Sequence, residues 1–85
     1  MIEPRTLDGN AIGGLLLELF GTELTAAPCV CGGCGAREEM ARLDVYVDCP
    51  GVVVRCRHCT DVMIAIVRGP TQTWIDLSGT RGLEL

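Results

Sequence analysis

Cys31-Gly32-Gly33-Cys34-Gly35 and Cys56-Arg57-His58-Cys59 are two cysteine knuckles, each with two residues between its cysteines and twenty-one residues between the pairs. A two-residue gap lets a tight turn aim both sulfurs at one point, so each knuckle supplies two corners of a tetrahedron. Four thiolates at about 2.3 Å complete a Zn²⁺ site, and closing all four positions makes it structural rather than catalytic. The doubled motif predicts Cys31, Cys34, Cys56 and Cys59 as the metal ligands. Glycines at 32, 33 and 35 are expected to supply positive φ where the chain curls round the metal. His58, the only histidine, reads as a solvent-facing turn residue.

Between the knuckles, residues 35–42 favour helix individually but read as an irregular or extended lead-in. Leu43-Asp44-Val45-Tyr46-Val47-Asp48 then alternates as a strand, with Leu43, Val45 and Val47 on one face. Cys49-Pro50-Gly51-Val52 fits a type II turn. The chain returns through Val52-Val53-Val54-Arg55 directly into the second knuckle, which makes a hairpin whose open end carries the metal. At about 3.3 Å per residue, Cys49 at its tip stands on the order of 15–20 Å from the knuckles and should not be a ligand. Cys29 points the same way as Cys31 if that segment is extended, so it can sit beside the metal or replace Cys31. Cys31 is preferred, because only it makes the two-residue knuckle with Cys34. Both spare thiols read as small buried hydrophobes.

Farther out, Val62-Met63-Ile64-Ala65-Ile66-Val67 is apolar on both faces and β-branched, which predicts a strand in the middle of a sheet covered on both sides. Arg68-Gly69-Pro70-Thr71 turns the chain, and Thr73-Trp74-Ile75-Asp76-Leu77 pairs back as a second hairpin. Residues 78–85 read as a loop and an apolar tail. On the N-terminal side, residues 1–7 are expected to be a loose lead-in. Asp8 caps a helix over residues 9–20, and Gly21 ends it in the left-handed conformation. Ile12, Leu15, Leu16, Leu19 and Phe20 fall on one face, so this helix is expected to lie on the sheet. Gly13 and Gly14 each weaken it by about 1 kcal/mol; either packing holds a loose helix, or a neighbouring strand or second chain approaches closely there. Residues 22–28 read as a linker.

Eighty-five residues make one small domain. A chain of this size buries only roughly 60–65% of the surface its unfolded form exposes, so its core gives marginal stability and a structural metal is a standard remedy. Phe20, Tyr46 and Trp74 are the only aromatics, so the core must be aliphatic. The net charge is −4, and all seven cations are arginine, which argues against nonspecific nucleic-acid binding. Met1-Ile2-Glu3-Pro4-Arg5 lacks the basic start and apolar run of a signal peptide, and no apolar stretch approaches the roughly 20 residues of a membrane span. Metal binding in a reducing cytoplasm is therefore preferred over three disulfides for the six cysteines.

The two knuckles, each entered or left by a strand, resemble a zinc ribbon. The chain also resembles a family of short, uncharacterised bacterial proteins, mostly actinobacterial, catalogued only as a domain of unknown function. The resemblance rests on Leu7-Asp8-Gly9-Asn10-Ala11, Val45-Tyr46-Val47, Pro50-Gly51-Val52-Val53-Val54-Arg55-Cys56 and Trp74-Ile75-Asp76-Leu77. It implies a zinc-ribbon-like fold with an added N-terminal helix and says almost nothing about activity. The expected class is a small α+β metal-bound domain of antiparallel hairpins, with the ribbon and second hairpin over residues 29–77.

No catalytic constellation stands out. His58 has no hydroxyl partner in sequence reach, Glu38-Glu39 reads as solvated surface, and a closed four-cysteine site has no open position for substrate. The preferred reading is a non-enzymatic, zinc-stapled binding or adaptor module that acts on a protein partner or a second copy of itself, with Trp74 as anchor. One alternative is a nucleic-acid-binding ribbon using Arg55, Arg57 and His58, with Arg37 and Arg68 in support. The other is redox: an iron site of rubredoxin type, or a thiol switch that releases zinc.

Overall fold

A computed structural model describes residues 6–48 and 51–85. In chain order the elements are β1 (Thr6–Asp8), a 3-10 turn (Gly9–Ile12), α1 (Gly13–Phe20), β2 (Pro28–Cys31), β3 (Arg37–Glu39), a second 3-10 turn (Met40–Arg42), β4 (Asp44–Asp48), β5 (Gly51–Arg55), β6 (Val62–Arg68), β7 (Thr73–Asp76) and β8 (Thr80–Leu83). They build a small α+β architecture of two antiparallel sheets and one α-helix. One sheet has the order β1-β4-β5-β6-β7 and the other β3-β2-β8.

The local chemistry explains most elements. Asp8 caps the first helical turn, its side chain accepting from the Asn10 amide at 3.1 Å, and Gly21 ends α1 at φ 73°. The first turn of the expected helix is 3-10, with α-helix proper only from Gly13. β4 and β5 form the expected hairpin, with Val45 opposite Val54 and Tyr46 opposite Val53. Its tip, with the type II turn and the position of Cys49, lies outside the described residues.

Four expectations need correction. The segment before β4 is a short strand, β3, that turns back on β2, so the first knuckle belongs to a different sheet from the hairpin it was expected to cap. Residues 80–83 are not a free tail: they form β8, which pairs with β2 through Cys29–Leu83 and Val30–Gly82. Residues 6 and 7, placed in a loose lead-in, pair with β4 together with Asp8 as β1. β6 lies inside its sheet, but it is not covered along its whole length on both sides; Met63, Ile64 and Ile66 are buried while Val62 and Val67 are each 41% exposed.

The core is aliphatic. Ile12 and Leu16 from the helical segment, Leu24 from the linker, and Leu43, Val45, Val54, Met63, Ile64 and Ile66 from the large sheet form one cluster. Met40 and Cys29, Cys31 and Cys56 complete it, and no aromatic residue belongs to it. Each fully buried aliphatic side chain contributes about 1.5–3 kcal/mol. On α1, Phe20 and Leu17 stay largely in solvent at 37% and 47% exposure, so the buried stripe is narrower than the periodicity suggested.

The close backbone approaches fall at glycines other than Gly13 and Gly14, although a Cβ on Gly13 would crowd the Thr25 methyl at 3.0 Å. A Cβ on Gly9 would strike the Met40 carbonyl oxygen, and one on Gly79 would strike that of Val62, whereas one on Gly14 meets nothing within 4 Å. Gly9→Ala and Gly79→Ala should each destabilise the fold by at least about 1–3 kcal/mol. Gly14→Ala should stabilise it by up to about 1 kcal/mol. Urea unfolding of the three variants beside the parent chain checks both signs.

Candidate metal centre

The two knuckles are built alike, 25 positions apart (Cys31 to Cys56, Cys34 to Cys59). Each follows a strand with an irregular register at its end, β2 at Val30/Cys31 and β5 at Val54/Arg55, and such bulges re-aim the next side chain. In the first knuckle the Cys31 amide donates to the Ala36 carbonyl at 2.9 Å, and the Gly35 amide to the Cys31 carbonyl at 3.0 Å. In the second, Cys56 donates to Asp61 at 2.9 Å and Thr60 to Cys56 at 2.9 Å. Both turns close through one left-handed residue at the same place, Gly35 at φ 78° and Thr60 at φ 67°.

That repeat sorts the glycines. Of the three in the first knuckle, only Gly35 has positive φ. Gly33 is needed for space, because a Cβ there would collide with the Asp61 carboxylate of the other knuckle. Gly32 lies against the Gly79 carbonyl and donates its amide to it at 2.9 Å. Thr60 carries the left-handed conformation with a β-branched side chain, at a cost of about 1–2 kcal/mol; its hydroxyl donates to the Cys59 carbonyl at 2.5 Å. Sequence reading missed Thr60, although its alignment with Gly35 was available.

The four predicted cysteines come together. The Sγ atoms of Cys31, Cys34, Cys56 and Cys59 all lie within 4.8 Å of one another. Cys31 and Cys59 approach to 3.6 Å and Cys34 and Cys56 to 3.7 Å, far beyond a disulfide bond. Sulfurs at about 2.3 Å from a tetrahedral ion are about 3.8 Å apart along each edge, so the donor set suits one metal ion. Cys29 is brought elsewhere: it is fully buried, with its Sγ directed at the Ala27 carbonyl at 3.6 Å, and burial pushes its thiol up to about 11.

Backbone amides aim at the sulfurs. The Gly33 amide lies 3.3 Å from the Cys31 Sγ and the His58 amide 3.4 Å from the Cys56 Sγ, again 25 positions apart. The Cys34 N–H, with that of Gly33 adding to it, holds the Cys31 thiol down to about 7. The Ala36 and Asp61 amides do the same for Cys34 and Cys59, but burial and the neighbouring sulfurs outweigh them. Both thiols are raised, that of Cys59 to about 12. One sulfur can carry a negative charge at the expense of its neighbours. A divalent cation removes that conflict by stabilising every thiolate at once.

Around the cluster, His58 is half exposed, as expected, but its Nε2 sits 3.0 Å from the Glu38 carboxylate. Glu38 therefore ties β3 to the second knuckle and is not free surface. Three of the arginines considered for nucleic acid have partners within the fold. Arg55 donates to the Thr60 carbonyl at 2.9 Å and lies 5.6 Å from the centre of the Tyr46 ring. Arg37 pairs with Glu84, and Arg68 pairs with Glu18 at 2.9 Å. Arg57 lines an open cleft of about 490 Å³ together with the carboxylates of Asp8, Glu39 and Asp44. No helix among the described residues is long and apolar enough to cross a membrane.

The chain belongs to a family of unknown function, DUF6510, whose sequence profile matches residues 3–85. No curated protein and no solved structure matches it.

Serine at Cys31, Cys34, Cys56 or Cys59 should lower metal retention by more than about 100-fold, since even outer-shell changes at metal sites cost about 10–100-fold. Cys29→Ser should keep the metal and cost only the burial of a hydroxyl, about 1–3 kcal/mol. Metal content after gel filtration, read by inductively coupled plasma mass spectrometry, separates the two groups. Gly35→Ala should destabilise by about 1–2 kcal/mol. Thr60→Gly should be neutral or stabilising by up to about 1 kcal/mol, because relief of strain outweighs the added chain entropy; thermal unfolding of the metal-loaded forms reads both.

Proposed function

We propose that the chain is a non-enzymatic protein-binding module of zinc-ribbon type. Cys31, Cys34, Cys56 and Cys59 hold one structural Zn²⁺, and the large sheet presents the binding surface. The single observation that carries the metal reading is the convergence of four sulfurs from two turns of identical build. Four thiolates favour zinc or iron over harder ions. Zinc is preferred because a small aliphatic core needs a staple and nothing else in the site calls for an electron carrier. With all four positions filled by protein there is no place for substrate or water, so the ion supports the fold and does no chemistry.

The binding surface is the sheet face turned away from the core. Strand register places Tyr46, Val53 and Ala65 side by side, and Val67 opposite Trp74, on the face opposite to buried Val45, Val54, Ile64 and Ile66. Trp74 is 68% exposed. It does not cover the core, and an indole in that position contributes little to stability. Exposed tryptophan beside valine, rimmed by polar groups, is the usual composition of a protein-binding hot spot. Nucleic acid is a poorer fit, because Arg37, Arg55 and Arg68 are already engaged and Arg57 faces carboxylates.

Native mass spectrometry should show one zinc per chain, and a colourless protein would exclude the iron–thiolate site. Removing the metal should leave the chain largely unfolded, since zinc contributes on the order of 10–16 kcal/mol in small thiolate sites. A fully folded metal-free chain would overturn the reading. Trp74→Ala should change unfolding free energy by less than about 0.5 kcal/mol, with indole emission in the parent that is red-shifted and freely quenched by acrylamide. Random duplex and single-stranded oligonucleotides should not bind at physiological salt.

A further inference from the structure

The four cluster cysteines are not equally shielded. Cys31 and Cys56 are 0% and 1% exposed and Cys59 is partly covered, whereas Cys34 is exposed. A small oxidant arriving from solvent therefore meets Cys34 first. Two sulfur pairs lie at 3.6 and 3.7 Å, Cys31 with Cys59 and Cys34 with Cys56, and both run from one knuckle to the other. Because the first knuckle joins β2 to β3 and the second joins β5 to β6, a bond in either pair links the two sheets. The within-knuckle pairs, Cys31 with Cys34 and Cys56 with Cys59, would leave the sheets unconnected at that point.

We propose that the cluster is a peroxide-responsive thiol switch. Oxidation starts at Cys34 and ends in two cross-knuckle disulfides, Cys34–Cys56 and Cys31–Cys59, with the metal released and the fold kept. The inference rests on the zinc reading above for its resting state. In the first step the Cys34 thiolate attacks one peroxide oxygen, the O–O bond breaks, and hydroxide leaves to take up a proton as water. Cys34 is then a sulfenic acid. The Cys56 thiolate attacks the Cys34 Sγ, the S–S bond forms, the S–O bond breaks, and a second hydroxide is protonated to water. Two sulfurs have lost one electron each, and the peroxide has gained both. A second peroxide closes Cys31 with Cys59 in the same way. None of the four disulfide sulfurs is a thiolate donor, so the ion has no ligands left.

Retention of the fold follows from geometry. The disulfides tie the same two turns at the same place as the metal does, so the sheets stay docked when the ion leaves. Cys29 takes no part, because its buried sulfur faces the Ala27 carbonyl.

The experiment uses the full-length, zinc-loaded chain and hydrogen peroxide. Zinc release is followed with a chromophoric chelator, sulfenic acid is trapped with dimedone, and disulfides are mapped by proteolysis without reduction. Early dimedone label should favour Cys34 over Cys31 and Cys56 by about tenfold or more, because susceptibility to oxidation follows exposure together with thiolate character. The final map should show Cys34–Cys56 and Cys31–Cys59, with zinc fully released, amide NMR dispersion preserved, and both changes reversed by a dithiol. Within-knuckle disulfides, a bridge to Cys29 or Cys49, first label on Cys31 or Cys56, or collapse of the amide dispersion would each overturn the proposal. A chain without zinc before peroxide is added would overturn the metal reading instead, and the disulfide map would still decide the switch.

Discussion

Two sheets that share no strand meet at four sulfur atoms, and those atoms must lie on a tetrahedron with edges of about 3.8 Å if one ion is to hold them. That requirement fixes both turns. Each needs amide donors facing inward, a closing hydrogen bond back to its first cysteine, and one residue in the left-handed region. Gly35 meets the last demand without cost and Thr60 meets it against its own preference. Gly33 gives up its side chain so that Asp61 can pass, and Gly32 and Gly79 bring the first knuckle against the turn between β7 and β8.

The four-cysteine cluster was legible because its spacing is local: two residues between sulfurs is a property of a single turn. The capped helix, the β4–β5 hairpin and the aliphatic core were legible for the same reason. What escaped reading depends on distant partners. Thr80-Arg81-Gly82-Leu83 has no alternation that marks a strand, and it becomes one only because β2 offers an open edge. Three residues at Thr6–Asp8 are too few to carry a pattern. Gly9 and Gly79 are indispensable through what passes over them, while Gly14, more conspicuous in its pair with Gly13, has room to spare. β6 was expected to be covered on both sides because both its faces are apolar; it is buried from Met63 to Ile66 except at half-covered Ala65, and exposed at its two ends.

The placement of aromatics fits this division. None of the three lies in the core: Trp74 and Phe20 are exposed and Tyr46 is partly covered under Arg55. The buried cluster is thus made of small aliphatic side chains and sulfur, and a core of that kind in a domain of this size is close to the stability margin. A four-cysteine cluster able to hold a metal at one end and an exposed tryptophan on the outer face of the large sheet are compatible in such a fold, because neither draws on an aromatic core.

β8 gives the molecule an order of assembly. Cys29 is paired with Leu83, 54 positions later, while β4 and β5 pair within a hairpin. During synthesis the large sheet's central hairpin can close as soon as it emerges. β2 can pair with β3 early, but its other edge waits for β8, and with it the first knuckle waits for its neighbour at Gly79. Loop closure over such a span is slow relative to hairpin formation. Two thiols of the first turn therefore spend the interval without their final neighbours, and a nascent chain at that stage depends on the reducing power of its surroundings.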